Sequence, residues 1–378
     1  MKITILQGAF LPVPPVIGGA TEKMWYALAL DFVRKGHEVV YVSRSFPGMP
    51  DEEISDGIIH RRVKGYDWPG SILLLKWLDL CYTLRARAVV PPDSDIVVTN
   101  TFWAPVVLPS RLRKRCVVDV ARVPKGQMKF YHEAARLRAN SSPVAGAIQG
   151  EISSDQQHRI VTIPNPLPFQ NLPEVDLYDK KSVLLYTGRL HPEKGLHLLI
   201  QAFRQLNTSW TLKIVGPWDK SAGGGGDKYL NTLKQLAGDA CVEFTGPTHD
   251  IEKLNHYYAE ASVFVYPSVA EKGETFGLAP LEAMAWGAVP IVSDLACFQD
   301  FVVHEKNGVV FNHRGEQGIE MLKMAMEKLI ANADDRFKLS KEALKVRRSH
   351  STSFIGTCFL EEFQAVVNEL KVGNTVLI

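Results

Sequence analysis

Two doubly wound α/β domains are predicted for this chain by three features of its sequence. At 378 residues and 42.1 kDa it exceeds what one hydrophobic core ordinarily organises, and two domains of about 170 to 200 residues satisfy the surface-to-volume balance. Short apolar runs followed by a glycine-bearing loop and an amphipathic helix begin at residue 2 and again at residue 182. Between them Pro164, Pro166, Pro168 and Pro173 punctuate a stretch without hydrophobic period, which marks a linker. The expected boundaries are 1–170 for the first domain, 171–181 for the linker, 182–352 for the second domain and 353–378 for a closing helix.

In the first domain, residues 2–7 form an apolar run of strand length, and 8–19 a proline-rich loop ending in Gly18-Gly19. Residues 20–35 place Met24, Leu28 and Phe32 four apart, a helix with one apolar face that Gly36 closes. The next strand, 36–42, completes a parallel crossover unit with a glycine pair at the carboxyl end of its first strand, where α/β sheets take ligands. The pair departs from G-x-G-x-x-G spacing, which argues against a nicotinamide enzyme. Residues 58–63 are a short strand. Residues 71–89 then form a helix with Leu73, Trp77, Leu80, Leu84 and Ala88 on one face, accompanied by Lys76, Arg85 and Arg87. Such a stripe is expected to pack on its own domain, with a membrane surface as the other reading. Asp93-Ser94-Asp95 has the D-x-D form that can hold a divalent metal, but it precedes the strand 96–99, at the wrong end for catalysis, and reads as a turn. The exit of the strand 117–120 is polar and basic: Arg122, Lys125 and Lys129 are either grips for an anionic acceptor or solvated loop charges. His132 is placed in a helix, with a packing or surface role. Residues 161–166 close the domain.

The second domain opens with a strand at 182–187 and the run Gly188-Arg189-Leu190-His191-Pro192-Glu193-Lys194-Gly195. A cationic loop at a strand's carboxyl end suits a pyrophosphate: Arg189 offers a fork to two oxygens and Lys194 a point charge. Both can equally be surface cations. A helix at 196–206 and a strand at 211–215 follow. Four glycines within 221–227 read as a flexible surface loop, since they lack the Lys-Ser/Thr of a P-loop. The strand 241–245 ends at Gly246 and the turn 246–249.

The richest stretch is 262–290. A buried strand at 262–267 leads into a polar loop, 268–277, and then a helix at 278–286 that Gly287 ends. The helix start at Phe276, Gly277 and Leu278 aims backbone N–H groups at an anion, while Glu274 and Glu282 accept from hydroxyls. Phosphate beside paired hydroxyls describes a nucleotide sugar. The plainer reading is that both glutamates merely complement the helix dipole. Strands at 289–293 and 308–311 follow, then a final helix at 354–370 with Phe359, Phe363, Val366 and Leu370 on one side.

Glu274 and Glu282 with seven residues between them, the flanking Phe276-Gly277 and the downstream Gly287-Ala288-Val289-Pro290 resemble the signature of retaining glycosyltransferases with the GT-B fold, most closely family 4, the glycosyl transferases of group 1. The run from Gly188 to Gly195 is similar to that family's G-R-x-x-x-x-K-G element. The resemblance implies two Rossmann-like domains facing a central cleft, with the last helix crossing back to the first. It implies a nucleotide-diphosphate-sugar donor, with Glu274 facing the sugar, Glu282 on the ribose and Arg189 with Lys194 at the leaving group. Gly18 and Gly19 approach the diphosphate, Gly188 and Gly246 line the donor, and Phe276, Gly277 and Leu278 receive phosphate. It further implies retention of anomeric configuration without a metal or other cofactor. At the exit of strand 117–120 the family often has a histidine that contacts the transferred sugar; here Asp119 and Arg122 are the nearest polar candidates, with Lys125 beside them. The acceptor is therefore left open among glycan, glycolipid and small molecule.

Composition sets the remaining bounds. With 46% hydrophobic and 22% charged residues this is an ordinary globular chain. Cys81, Cys116, Cys241, Cys297 and Cys358 are dispersed, odd in number and form no C-x-x-C pair, so reduced thiols are expected, without a disulfide framework or zinc site. Met1-Lys2 runs straight into an apolar strand, leaving no room for a signal peptide, and a cytoplasmic protein is expected. Net charge is +2, but residues 1–170 hold 21 Lys+Arg against 15 Asp+Glu, and the remainder 22 against 26. A basic first half suits an anionic acceptor or the inner face of a membrane, or is ordinary surface charge. No nucleic-acid partner is expected. Two other classes fit the architecture: a nucleotide-sugar-binding subunit without activity, and a nucleotide-sugar 2-epimerase.

Overall fold

A computed structural model describes residues 1–375 apart from 18, 170, 171 and 249. The chain forms two units, Met1–Pro168 together with the chain from His350 onward, and Phe169–Ser349. The first holds a sheet of β1 (Lys2–Leu6), β2 (Glu38–Arg44), β3 (Glu52–Ser55), β4 (Ile58–Val63), β5 (Ile96–Thr99), β6 (Cys116–Val120), β7 (Arg136–Ala139) and β8 (Ile160–Thr162), in the order β3-β4-β2-β1-β5-β6-β7-β8. Only β3 on β4 is antiparallel. The order reverses at β1, which has β2 on one side and β5 on the other, so the loop carrying Gly19 opens at the point where such sheets hold ligands.

Helix α1 (Ala20–Arg34) lays Trp25, Leu28 and Phe32 on this sheet, all fully buried. The closing helix Thr352–Thr375 completes the same core: Trp25 packs on Phe359 at 4.9 Å between ring centroids and Phe32 on Phe363 at 5.9 Å. Arg136 on β7 pairs with Glu362 and Glu369 of that helix.

Three expectations are corrected in this unit. Asp119 is no acceptor-side residue: its carboxylate is wholly buried, Oδ1 2.6 Å from Arg138 Nη1 and Oδ2 accepting from Trp25 Nε1 at 2.8 Å. A strand whose alternate members face the core leaves no solvent path to that side chain, and both oxygens are already committed. The segment around His132 is a turn, not a helix, leading into β7, whose sequence RLRA hid a buried strand behind two arginines. Helix α2 (Ile72–Val89) forms as expected, but the expected stripe faces outward. Leu73 is 82% exposed, Trp77 61% and Leu84 50%, while Asp79, Tyr82, Thr83 and Ala86 on the opposite side meet the sheet.

The second unit carries β9 (Lys181–Thr187), β10 (Thr211–Val215), β11 (Val242–Gly246), β12 (Ala261–Tyr266), β13 (Val289–Ser293) and β14 (Val309–Phe311), ordered β11-β10-β9-β12-β13-β14 and parallel throughout. Every residue of β12 is buried, as a central parallel strand covered on both faces requires. Residues 172–180 are bound into this unit rather than forming a loose linker. Lys180 Nζ donates to the carbonyls of Tyr258 and Trp286, and Arg347 Nη1 to that of Pro173 at 2.7 Å.

Candidate active site

The sheet of the second unit reverses between β9 and β12; the loops leaving these two strands carry Arg189, Lys194 and Glu274, and the helix after the second carries Glu282. Their backbones meet directly: a Cβ built on Gly195 would lie 1.9 Å from the carbonyl oxygen of Pro267, so only glycine lets the first loop pass the exit of β12. His191 accepts from the N–H of Glu193 and starts one tight turn, Pro192–Lys194, which carries Lys194 inward until it is 8% exposed. There its Nζ lies 2.7 Å from Glu274 Oε2, each side chain 10% exposed, and 5.3 Å from the ring centroid of Tyr266. Burial first, then the Glu274 carboxylate, pushes the Tyr266 hydroxyl well above its ordinary pKa, so it stays protonated as a donor.

Glu282 sits one turn into the helix Leu278–Ala285 and accepts from the Tyr258 hydroxyl at 2.8 Å. That hydroxyl is 2.7 Å from Thr187 Oγ1 at the end of β9, tying the glutamate to the neighbouring strand. No side chain caps this helix. With Pro280 third in line and lacking an N–H, the groups directed out of the first turn come from Gly277, Leu278 and Ala279. Gly277 holds φ +89°, and a Cβ there would lie 2.4 Å from Phe298 Cε1. Gly277→Ala is therefore expected to cost about 2–4 kcal/mol through backbone strain and overpacking, read as a lowered thermal midpoint. Phe276 contributes backbone only, its ring being buried against Phe301.

Arg189 occupies the rim. Nη1 donates to the Gly223 carbonyl at 2.8 Å and Nη2 to Glu193 Oε1 at 3.0 Å, with the side chain 45% exposed. The glycine run is thus not the flexible surface loop expected from composition. Gly224 N–H donates to Asp219, Gly225 to Leu190 and Gly226 to Trp218, which folds the run onto the Arg189 loop. Gly188 N–H bonds the Val215 carbonyl, and Gly246 closes β11 with its carbonyl accepting from Gly216, near the Trp218 ring.

Lys194, Glu274, Glu282 and Arg189 therefore gather at one sheet edge, with Gly188, Gly246, Phe276, Gly277 and Leu278 around them. Tyr258, Tyr266 and Gly223 were not foreseen, because their roles arise from distant partners rather than local spacing, whereas Glu193 pairs with Arg189 four residues away in the same loop. In the first unit, Gly18 lies outside the described residues. Gly19 precedes α1 beside Glu22, a buried carboxyl that bonds Gln7 at 3.3 Å and whose pKa burial raises. Arg122 and Lys125 are exposed beyond β6. A cavity of about 410 Å³ lies at the amino ends of β9, β12 and β13, lined by Lys180, Ser262 and Gly287. Burial pushes the Lys180 ammonium down to about 7, but this is the edge where parallel sheets hold no ligand. Among the described residues no group of three or more His, Cys, Asp or Glu is arranged to hold a metal ion.

Residues 170–346 match the family model for glycosyl transferases group 1. The chain is 31% identical over 289 residues to a phosphatidyl-myo-inositol mannosyltransferase of Mycolicibacterium smegmatis, covering 70% of this chain and 69% of that protein. It is 32% identical over 150 residues to a lipopolysaccharide 1,2-N-acetylglucosaminetransferase of Salmonella typhimurium; that match takes in 38% of this chain and spans only 37% of that protein's length. Among solved structures it resembles a sucrose-phosphate synthase from Thermosynechococcus elongatus, with a TM-score of 0.76, 18% identity and coverage of 97% and 99% of the two chains. Anabaena HepE in complex with UDP and glucose gives a TM-score of 0.70 and 18% identity, covering 97% of this chain and all of that one. At such identities the two structures speak to the fold alone.

Proposed function

Because this chain belongs to the glycosyl transferases of group 1 and has the GT-B fold, we propose that it moves a sugar from a nucleotide-diphosphate donor to an acceptor hydroxyl, with retention at the anomeric carbon. The observation that carries this reading is the buried Lys194–Glu274 pair, 2.7 Å apart, next to an uncapped helix start. Breaking the sugar–phosphate C–O bond leaves the electron pair on the diphosphate and positive character on the anomeric carbon. Lys194, the N–H groups of Gly277 and Leu278 and, once released from Glu193, the Arg189 fork stabilise that oxyanion. Glu274 holds the sugar by its hydroxyls and Glu282 the ribose. The acceptor oxygen forms its new bond on the face the diphosphate leaves, and its proton passes to a phosphate oxygen. The acceptor belongs among glycans, glycolipids or small molecules.

Incubation of purified protein with UDP-, GDP- and ADP-sugars, with and without candidate acceptors, tests the reading. Acceptor-dependent release of nucleotide is expected. An epimerised donor without acceptor indicates an epimerase, and binding without turnover a subunit; either result overturns transfer. In this reading the protein's own cations carry the leaving group. Transfer is therefore expected to persist within about twofold in excess chelator; activity lost to EDTA and restored by a divalent ion would refute metal independence.

A further inference from the structure

We propose that the outward stripe of α2 is a docking surface for an anionic lipid bilayer, on which the helix lies without crossing it. The stripe is apolar where solvent should favour polar side chains: Leu73, Trp77 and Leu84 are half or more exposed, and Ile72 at the helix start and Trp68 just before it are 72% and 68% exposed. An apolar patch of this extent needs a cover. A helix buries one face, and α2 has spent its inner face on the sheet through Tyr82, Thr83 and Ala86. The outer one is therefore built for something else.

Charge identifies the occupant. At 3.6 residues per turn, Lys76 and Arg87 fall on one flank of the stripe and Arg85 on the other. They are held there: the Lys76 ammonium sits 4.7 Å from the Phe102 ring centroid and the Arg85 guanidinium 5.4 Å from that of Tyr66. The one acid in the helix, Asp79, is buried on the opposite side, where its carboxylate accepts from Phe102 N–H, and nearby Asp67 is drawn to Arg44 at 3.0 Å. Apolar centre, cationic flanks and two tryptophans suit a headgroup region with negative charge. A second copy is disfavoured, since a symmetric contact would set these cations against their own images. No helix among the described residues is long and apolar enough to cross a membrane. Trp103 Nε1 donates to the Lys76 carbonyl at 2.8 Å, so the stripe adjoins the carboxyl end of β5, and docking holds that sheet edge against the headgroups.

Co-sedimentation of the full chain with vesicles tests this without reference to sugar transfer. Mixed phosphatidylglycerol–phosphatidylcholine vesicles are expected to bind at least about tenfold more tightly than phosphatidylcholine alone, with the difference shrinking at high salt. Leu73→Glu with Trp77→Glu is expected to weaken binding about tenfold or more. Replacing Lys76, Arg85 and Arg87 together by serine is expected to weaken it about a hundredfold, at roughly fivefold per cation. Because these side chains are exposed, thermal midpoints should stay near wild type, which separates lost docking from lost folding. Absent binding, equal binding to neutral and anionic vesicles, or variants that bind as wild type would overturn the proposal. So would a dimer that Trp77→Glu separates in a protein that ignores vesicles, which would assign the stripe to a second copy.

Discussion

Glu274→Gln is expected to lower turnover by about three orders of magnitude while free nucleoside diphosphate still binds within about threefold of wild type. The carboxylate has two tasks that this substitution separates. It pairs with Lys194 at 2.7 Å, in a place where each side chain is 10% exposed, and it is proposed to hold the donor's sugar. Glutamine keeps the shape and one oxygen for Lys194, so the buried ammonium is not abandoned. What it removes is the negative charge that accepts from sugar hydroxyls and faces the developing positive carbon. Nucleotide without sugar makes no such contact, so its affinity reports only the phosphate and ribose grips. Lys194→Ala is expected to behave differently, because the ammonium is proposed to touch the diphosphate in every state: nucleotide affinity and turnover should both fall. Isothermal titration with the nucleoside diphosphate, beside acceptor-dependent nucleotide release, distinguishes the two patterns. A folded Glu274→Gln enzyme with wild-type turnover would remove the basis of the proposed mechanism.

Asp119→Ala is expected to destabilise the first unit by about 3–5 kcal/mol, lowering its thermal midpoint by roughly 10 °C. The loss comes less from the missing carboxylate than from what it leaves behind. Arg138 is wholly buried, with Nε bonded to the Ile163 carbonyl at 2.7 Å, Nη2 to Asn165 Oδ1 at 2.9 Å and its guanidinium over the Phe359 ring. Without Asp119 its charge has only neutral acceptors, and Trp25 Nε1 loses its partner as well. Burial already lowers the Arg138 pKa against the support of Asp119, which shows how strongly desolvation opposes the ion there. Below the melting transition, transfer should be nearly unchanged. A normal melting curve with lost transfer would restore Asp119 to the acceptor side.

What local sequence can and cannot reveal is clear from particular residues. Runs such as IVVT and VPIVS match strands β5 and β13 residue for residue, because a strand covered on both faces is apolar along nearly all its length. The loops bearing Arg189, Lys194 and Glu274 were legible because charge and glycine concentrate where such strands end. The stripe on α2 was legible as a stripe, but periodicity says only that a face is apolar, not what covers it. Asp119 and Arg138 lie on adjacent strands β6 and β7, and their pairing depends on a register that no local window contains. Tyr258 likewise meets Glu282 across 24 positions of chain. The glycine run departs from the expected flexible loop because composition measures freedom in isolation, whereas all four of its N–H groups are spoken for.

The closing helix carries one more consequence. Phe359 and Phe363 are wholly buried against Trp25 and Phe32, residues made more than 300 positions earlier. During synthesis, the second unit is therefore fully emerged before the first can finish its core, and the unit begun first is the one completed last. A nascent chain halted before residue 350 carries an unfinished amino-terminal fold whose α1 face is exposed to whatever is nearby, including chaperones.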